Sequence, residues 1–472
     1  MDNLYQEVMK RRNSIIQNSI DIDYKTYEKD IISFDYEKMM ADVGYSIEDV
    51  EMIQAETSVG STPLYELKNL TKLARLYASE GKGARIFLKD EAVNPSGSFK
   101  ARRASINCYH AKKMGYKGVI AATSGNYGAA VASQAAIQGL KCIIVQECYD
   151  SNGLGQPEII EKARKCEAYG AEVIQLTVGP ELFFKFLSLL EETGYFNASL
   201  YTPYSILGVE TLGMEISRQM IEKTGKNPDC VVVTNAGGGN LTGTARGLIK
   251  SGSKETEIIA ASVDLEGLHM ASDTDFNKKS FTTGHTGFGI PFATFPDRSD
   301  VPRSAARPLR YTDKYVVVSQ GTVFYMTELL AQIEGLERGP AGNVSLAGAF
   351  KLAQEMQSDQ TIVVQETEYT GAGKHINAQL SFATENGIEL LIGDPRDEIP
   401  GQNIILPKDP SFVDLSELDL DKIKNSLIRN SVKDLNEKVL KLEDLNFLVE
   451  ETKSDLEFVK AALDNLKINY KE

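Results

Sequence analysis

From Arg85 to Leu176, short β-branched runs alternate with helix-length stretches, and this alternation most constrains the fold. Arg85-Ile86-Phe87-Leu88-Lys89, Gly118-Val119-Ile120-Ala121-Ala122, Lys141-Cys142-Ile143-Ile144-Val145 and Ala171–Leu176 read as strands. Between them, Ala101–Met114, Gly128–Gly139 and Glu158–Tyr169 read as helices. Such a rhythm predicts βαβ units and parallel strands, because parallel neighbours need a crossover and a helix supplies it. The pattern restarts after a helix over Thr211–Thr224, with strands at Cys230–Thr234, Ile258–Val263 and Thr361–Gln365. Two sheets fit these runs better than one. Residues 282–310, rich in Gly, Pro and Arg, read as a long ordered loop. Near the C-terminus, Val432, Leu435, Val439 and Leu442 are spaced 3, 4, 3, and Leu456, Val459, Leu463 and Leu466 repeat that spacing. Both sets predict amphipathic helices that pack on the body or on a partner subunit.

Charge and composition narrow the function. A net charge of −15 argues against nucleic acid or an anionic membrane as partner. No apolar run approaches the roughly 20 residues that span a bilayer. Met1-Asp2-Asn3-Leu4 opens neither a basic nor an apolar leader, so a cytoplasmic protein is expected. The five cysteines, Cys108, Cys142, Cys148, Cys166 and Cys230, show no metal-ligand spacing and read as reduced, buried thiols. The histidines His110, His269, His285 and His375 are scattered, so no metal site is expected. His285, in a Gly-His-Thr-Gly turn, is a weaker acid or base candidate, with a structural role favoured.

Three segments carry chemistry. In Asn94-Pro95-Ser96-Gly97-Ser98-Phe99-Lys100 a lysine stands between a polar turn and a helix-forming run. Burial and the nearby Lys89, Arg102 and Arg103 would lower its pKa and make it nucleophilic. A lone lysine is most often a solvated surface residue, so the reading depends on its company. Thr123-Ser124-Gly125-Asn126-Tyr127-Gly128 is a polar turn ahead of a helix. Thr234-Asn235-Ala236-Gly237-Gly238-Gly239-Asn240-Leu241 follows an apolar strand and opens a helix, the context in which backbone N–H groups converge on a phosphate. It lacks both the dinucleotide and the P-loop spacing.

Together these segments resemble the tryptophan-synthase-like family of enzymes that use pyridoxal 5′-phosphate (PLP), the fold type II group. The resemblance implies two three-layer α/β/α domains with mostly parallel twisted sheets. Residues 61–104 with 226–410 would form the larger, PLP-binding domain and 105–225 the smaller. Residues 1–60 would be a helical N-terminal extension, and 411–472 an amphipathic helical tail. The resemblance also implies that Lys100 carries PLP covalently and moves the proton at the substrate's α-carbon. Asn126 would contact the ring hydroxyl, and Thr123, Ser124 and Gly125 the substrate carboxylate. Gly237, Gly238, Gly239, Asn240 and Leu241 would hold the phosphate. Thr370 would meet the pyridine nitrogen, with Thr367 as runner-up. Where the family often has an acidic residue after the lysine, this chain has Ala101.

From Asp23 to about Ile428 the chain is most similar to the larger subunits of a two-subunit amino-oxo-acid thiolase family of anaerobic ornithine breakdown. Phe196-Asn197-Ala198-Ser199-Leu200-Tyr201 and the stretch Ser280–Gly289 carry that likeness. It implies cleavage of 2-amino-4-oxopentanoate with coenzyme A as co-substrate, giving acetyl-CoA and alanine. It also implies a small α subunit as partner and a homodimeric core within a hetero-oligomer. Arg298, Arg303, Arg307 and Arg310 in the long loop are candidates to face coenzyme A or that partner, with a surface or interface cluster the more ordinary reading. Two alternatives stay open. One is a β-elimination or replacement enzyme of the threonine synthase or diaminopropionate ammonia-lyase type. The other is a non-catalytic binding subunit that keeps the fold.

Overall fold

The computed structural model describes residues 2–123, 125–149, 153–155, 157–265, 280–282, 294, 300–369, 376–435 and 438–471. Its strands are β1 (Leu64–Glu66), β2 (Arg85–Asp90), β3 (Gly118–Thr123), β4 (Lys141–Tyr149), β5 (Glu172–Thr177), β6 (Phe196–Asn197), β7 (Cys230–Thr234), β8 (Glu257–Val263), β9 (Lys314–Val318), β10 (Thr361–Glu366), β11 (Glu389–Gly393), β12 (Asn403–Pro407) and β13 (Ser416–Glu417). The larger sheet runs β1-β2-β10-β7-β8-β9-β13. It is parallel from β2 to β9, with antiparallel edges at β1 and β13. A second sheet, β5-β4-β3-β6, is wholly parallel. The protein is therefore α/β with mostly parallel sheets. β7 and β3 are buried at every residue, as strands covered by helices on both faces must be.

The strand order places the chemistry. β10 lies between β2 and β7, with Val363 beside Phe87 on one flank and Val231 on the other. The chain leaving β2 leads to Lys100, that leaving β7 to the triple glycine, and that leaving β10 to Thr367. Three loops thus emerge together at the carboxyl ends of parallel strands, where open α/β sheets form their crevices.

The long helix Pro203–Thr224 joins the lysine helix to the glycine-loop helix. Ser205 N–H donates to Thr202 Oγ1 at 3.0 Å and Pro203 occupies the first turn, two start signals that place the beginning well before the expected Thr211. No stripe marks this half because Tyr204–Val209 is buried on all sides. The helix packs on Gly239–Lys250 at glycines. A Cβ on Gly213 would lie 2.1 Å from Thr244 O, and one on Gly247 would lie 1.9 Å from Glu210 O. Only glycine permits that approach.

The two ends of the chain share one core with the smaller sheet. Ile16, Ile20 and Met39 from the N-terminal helices pack with Ile120, Ile144 and Phe196, and with Leu448, Val459 and Leu463 from the tail. Asp444 accepts from Ile32 N–H at 2.9 Å and from Ser33 N–H at 3.0 Å, tying the ends together in the interior. One expectation fails here. The Val432–Leu442 spacing does not form a single helix: one helix, Leu420–Val432, ends where it begins, and the next, Leu442–Thr452, starts where it stops. Leu440 is fully buried and bridges Tyr470 in an extended pairing, which holds the segment out of helix. The second set does form a helix, Leu456–Asn465.

Candidate active site

Lys100 opens the helix Lys100–Lys113 after two tight turns, Glu91–Val93 and Pro95–Gly97. The polar turn ahead of the lysine is thus locally ordered. Thr367–Tyr369 braces it: Phe99 N–H donates to Thr367 O at 3.1 Å and Tyr369 N–H to Gly97 O at 2.8 Å. Thr367, the runner-up, therefore stands beside the lysine turn. Thr370 lies outside the described residues, as do Ser124, Arg298, His269, His285 and His375.

Lys100 is part-exposed as a residue, yet protein surrounds its amine closely. Burial lowers the ammonium to about 8; Glu368 opposes this, while Lys162 and Arg103 add to it. The amine sits 4.8 Å from the centre of the Phe99 ring and pairs with no carboxylate among the described residues. A fraction of it is therefore neutral, and nucleophilic, at physiological pH.

The rest of the lysine helix is anchored by charge. Arg102 is fully buried between two carboxylates. Its Nε and Nη2 meet Glu91 at 2.7 and 2.8 Å, and its Nη1 and Nη2 meet Glu215 at 2.8 and 2.9 Å. Lys89 Nζ adds a 2.6 Å bond to Glu215, and the two cations, outweighing burial, hold the Glu215 carboxylate well below its ordinary pKa. This network fixes the helix that begins with Lys100. It satisfies Arg102 in a chain that has Ala101 where the family often has an acid.

Thr123 ends β3, and Gly125 N–H donates to its Oγ1 at 3.0 Å. Asn126 is the first residue of the helix Asn126–Gln138, and its Oδ1 is buried without a partner among the described residues. Beyond β7, the first helical N–H bond of Gly239–Lys250 is from Thr242 to Gly238 O, at 3.0 Å. The N–H groups of Gly239, Asn240 and Leu241 precede it and have no helical acceptor. Asn240 Oδ1 and Nδ2 are likewise buried and unpaired among the described residues. Gly238 has φ +82°, a left-handed turn that favours glycine. A lysine, a glycine cradle at a helix N-terminus and unpaired amides at Asn126 and Asn240 fit a phosphorylated aromatic aldehyde.

The structure adds a buried ion pair that the sequence did not suggest and a second role for Arg103 besides lowering the Lys100 pKa. Glu158 and Lys162 form a buried ion pair, with Gln379 Nε2 donating to the second Glu158 oxygen at 3.0 Å. Burial works against the Lys162 charge, but Glu158 and Glu368 outweigh it and hold the ammonium above its ordinary pKa. Their i, i+4 spacing looks like an ordinary surface pair. Arg103 lies buried against Gly239. Its signal was two arginines in the first turns of a helix, where the dipole favours acids instead.

The long-loop arginines have partners within the chain. Arg307 Nη1 meets Glu451 at 3.0 Å in the interior, and Arg310 meets Glu451 and Glu450, each at 2.8 Å. Arg303 lies over the Phe34 ring at 5.6 Å. The Arg307 and Arg310 contacts join this segment to the protein's own tail, and the Arg303 contact joins it to the N-terminal extension.

Residues 55–368 match the family described as pyridoxal-phosphate dependent enzymes, and the chain belongs to it. Its particular relatives are narrower. It is 68% identical over 466 residues to the 2-amino-4-ketopentanoate thiolase beta subunit of Acetoanaerobium sticklandii, covering 99% of both chains. It is 61% identical over 467 residues to a beta subunit of the same description from an unknown prokaryotic organism, again over 99% of each. Among solved structures, a pyridoxal 5′-phosphate-dependent aspartate racemase superposes with TM-score 0.54 at 18% identity, over 69% of this chain and 95% of that one. A threonine deaminase from T.th. gives 0.52 at 24%, over 69% and 98%. These two likenesses concern the fold, which is fold type II.

Proposed function

We propose that this chain is the PLP-bearing catalytic subunit of a thiolase that cleaves 2-amino-4-oxopentanoate with coenzyme A to acetyl-CoA and alanine. The observation that carries the reading is the 68% identity over 99% of both chains to a protein of that description. Bound PLP supplies an electron sink next to the substrate's α-carbon. Lys100 would hold the cofactor and, as a free amine, take and return the proton at the substrate's α-carbon. Asn126 orients the ring, while Thr123, Ser124 and the Gly125 amide hold the substrate carboxylate. Residues 237–241 hold the phosphate, and Thr370 faces the ring nitrogen.

The thiol comes from coenzyme A in this reading. All five cysteines are buried, and burial raises Cys148 to about 11 and Cys166 to about 12, so neither is a ready thiolate. Buried free thiols also suit a reducing cytoplasm. A small α subunit completes the enzyme around a homodimeric core. The test is product formation from 2-amino-4-oxopentanoate and coenzyme A, with and without that subunit. Acetyl-CoA formed only with both subunits supports the proposal. Ammonia and a keto acid formed without coenzyme A would replace it with a lyase.

A further inference from the structure

Arg102 and Arg103 are adjacent on one helix and meet opposite fates. Arg102 has two carboxylates. Arg103 is 3% exposed, and its Nε and Nη2 have no acceptor among the described residues. The groups that face it are the Phe99 ring, 5.6 Å from the guanidinium carbon, and the phenols of Tyr127 and Tyr201. A buried cation without an anion is costly, and native structures seldom keep one unless a ligand completes it. Its position says which ligand. Nη2 lies 1.5 Å from where a Cβ on Gly239 would stand, so the guanidinium rests on the backbone of the triple glycine. That backbone carries the helix N–H groups that lack acceptors. Tyr201 closes the same loop from the other side, its hydroxyl 2.6 Å from a Cβ placed on Gly237.

We propose that Arg103 binds the phosphate of the cofactor, so that a guanidinium on the lysine helix and the amides of the glycine loop grip one dianion from two elements. The proposal rests on the reading that PLP is carried at Lys100. It gives the arginine pair a division of labour: Arg102 holds the helix in place, and Arg103 holds the ligand. It also explains why position 239 must be glycine. Any side chain there would take the space of the guanidinium.

The test compares PLP with pyridoxal, which has the aldehyde but no phosphate, on apoprotein of the wild type, Arg103→Lys and Arg103→Met. Capture by Lys100 is read as the absorbance of the lysine-bound chromophore. A charge-assisted bond to phosphate predicts that Arg103→Met weakens PLP by about 10- to 100-fold while pyridoxal changes little, with Arg103→Lys between. Inorganic phosphate should raise the melting temperature of wild-type apoprotein and not that of Arg103→Met. With its unpaired charge removed, Arg103→Met apoprotein should melt no lower than wild type. Parallel weakening of both aldehydes, or equal stabilisation of both proteins by phosphate, would overturn the role. If neither aldehyde is captured by the wild type, the PLP reading itself falls, and Arg103 with it. Capture with an unchanged PLP-to-pyridoxal ratio removes Arg103 alone.

Discussion

Lys100 is set apart from the chain's other lysines by what surrounds its amine, and two predictions follow at that scale. With the ammonium lowered to about 8, the neutral fraction falls roughly tenfold per pH unit below that value and saturates above it. The rate of PLP capture by apoprotein should therefore rise from pH 6 to about 8 and then level off. Stopped-flow absorbance measures it, and a rate still climbing at pH 10 would mean an ordinary surface amine. Replacing the residue tests its role: Lys100→Ala should lower kcat by at least about 10²- to 10⁴-fold and abolish the borohydride-fixed cofactor adduct seen by mass spectrometry. The turn around Lys100 could be read from its sequence because glycine and proline fix local geometry. Arg103 and the Glu158–Lys162 pair could not, since burial decides their meaning and burial is a tertiary property. Position 103 still carried a hint, a cation where a helix start disfavours one.

At the scale of elements, the site depends on three helices meeting at glycine backbones. Gly213→Ala and Gly247→Ala each place a methyl inside contact distance of a facing carbonyl, and overpacking of this kind costs about 1–3 kcal/mol. Each variant should lower the denaturant midpoint, and PLP affinity should fall with it, because the same crossing sets the glycine loop against the lysine helix. Unchanged midpoints would mean that the helices separate without penalty. The strands β2, β3, β7, β8 and β10 were legible because buried parallel strands are continuous apolar runs. Lys314–Val318 is such a run too, although it is not among the strands expected from the sequence. The start of Pro203–Thr224 was hidden for the opposite reason: a helix buried all round shows no stripe. The false helix across Val432–Leu442 shows that a 3, 4, 3 spacing can arise by chance: Val432 and Leu435 are buried, but Leu442 is exposed and opens a separate helix.

For the whole molecule, the tail is tied to residues 300–310, and this bears on what Arg307 and Arg310 can do. Glu451 is buried and bonded to both Arg307 and Arg310. Removing one charge from a buried ion-pair network costs up to about 3–5 kcal/mol, and here Arg310 keeps Glu450. Glu451→Gln should therefore lower the denaturant midpoint clearly, whereas the same change at the exposed Glu450 should be worth less than about 1 kcal/mol. Because these arginines already have acidic partners in their own chain, the KM for coenzyme A in folded Glu451→Gln should stay within about twofold of wild type. The opposite pattern, intact stability with altered coenzyme affinity, would return the arginines to the coenzyme. The Tyr36 hydroxyl donates to Ala305 O at 2.8 Å, so the N-terminal extension joins the same assembly. Loss of the tail should thus loosen the long loop and the N-terminus together, and hydrogen exchange on Glu451→Gln should rise at residues 300–312 and 30–40 while β7 and β10 stay protected.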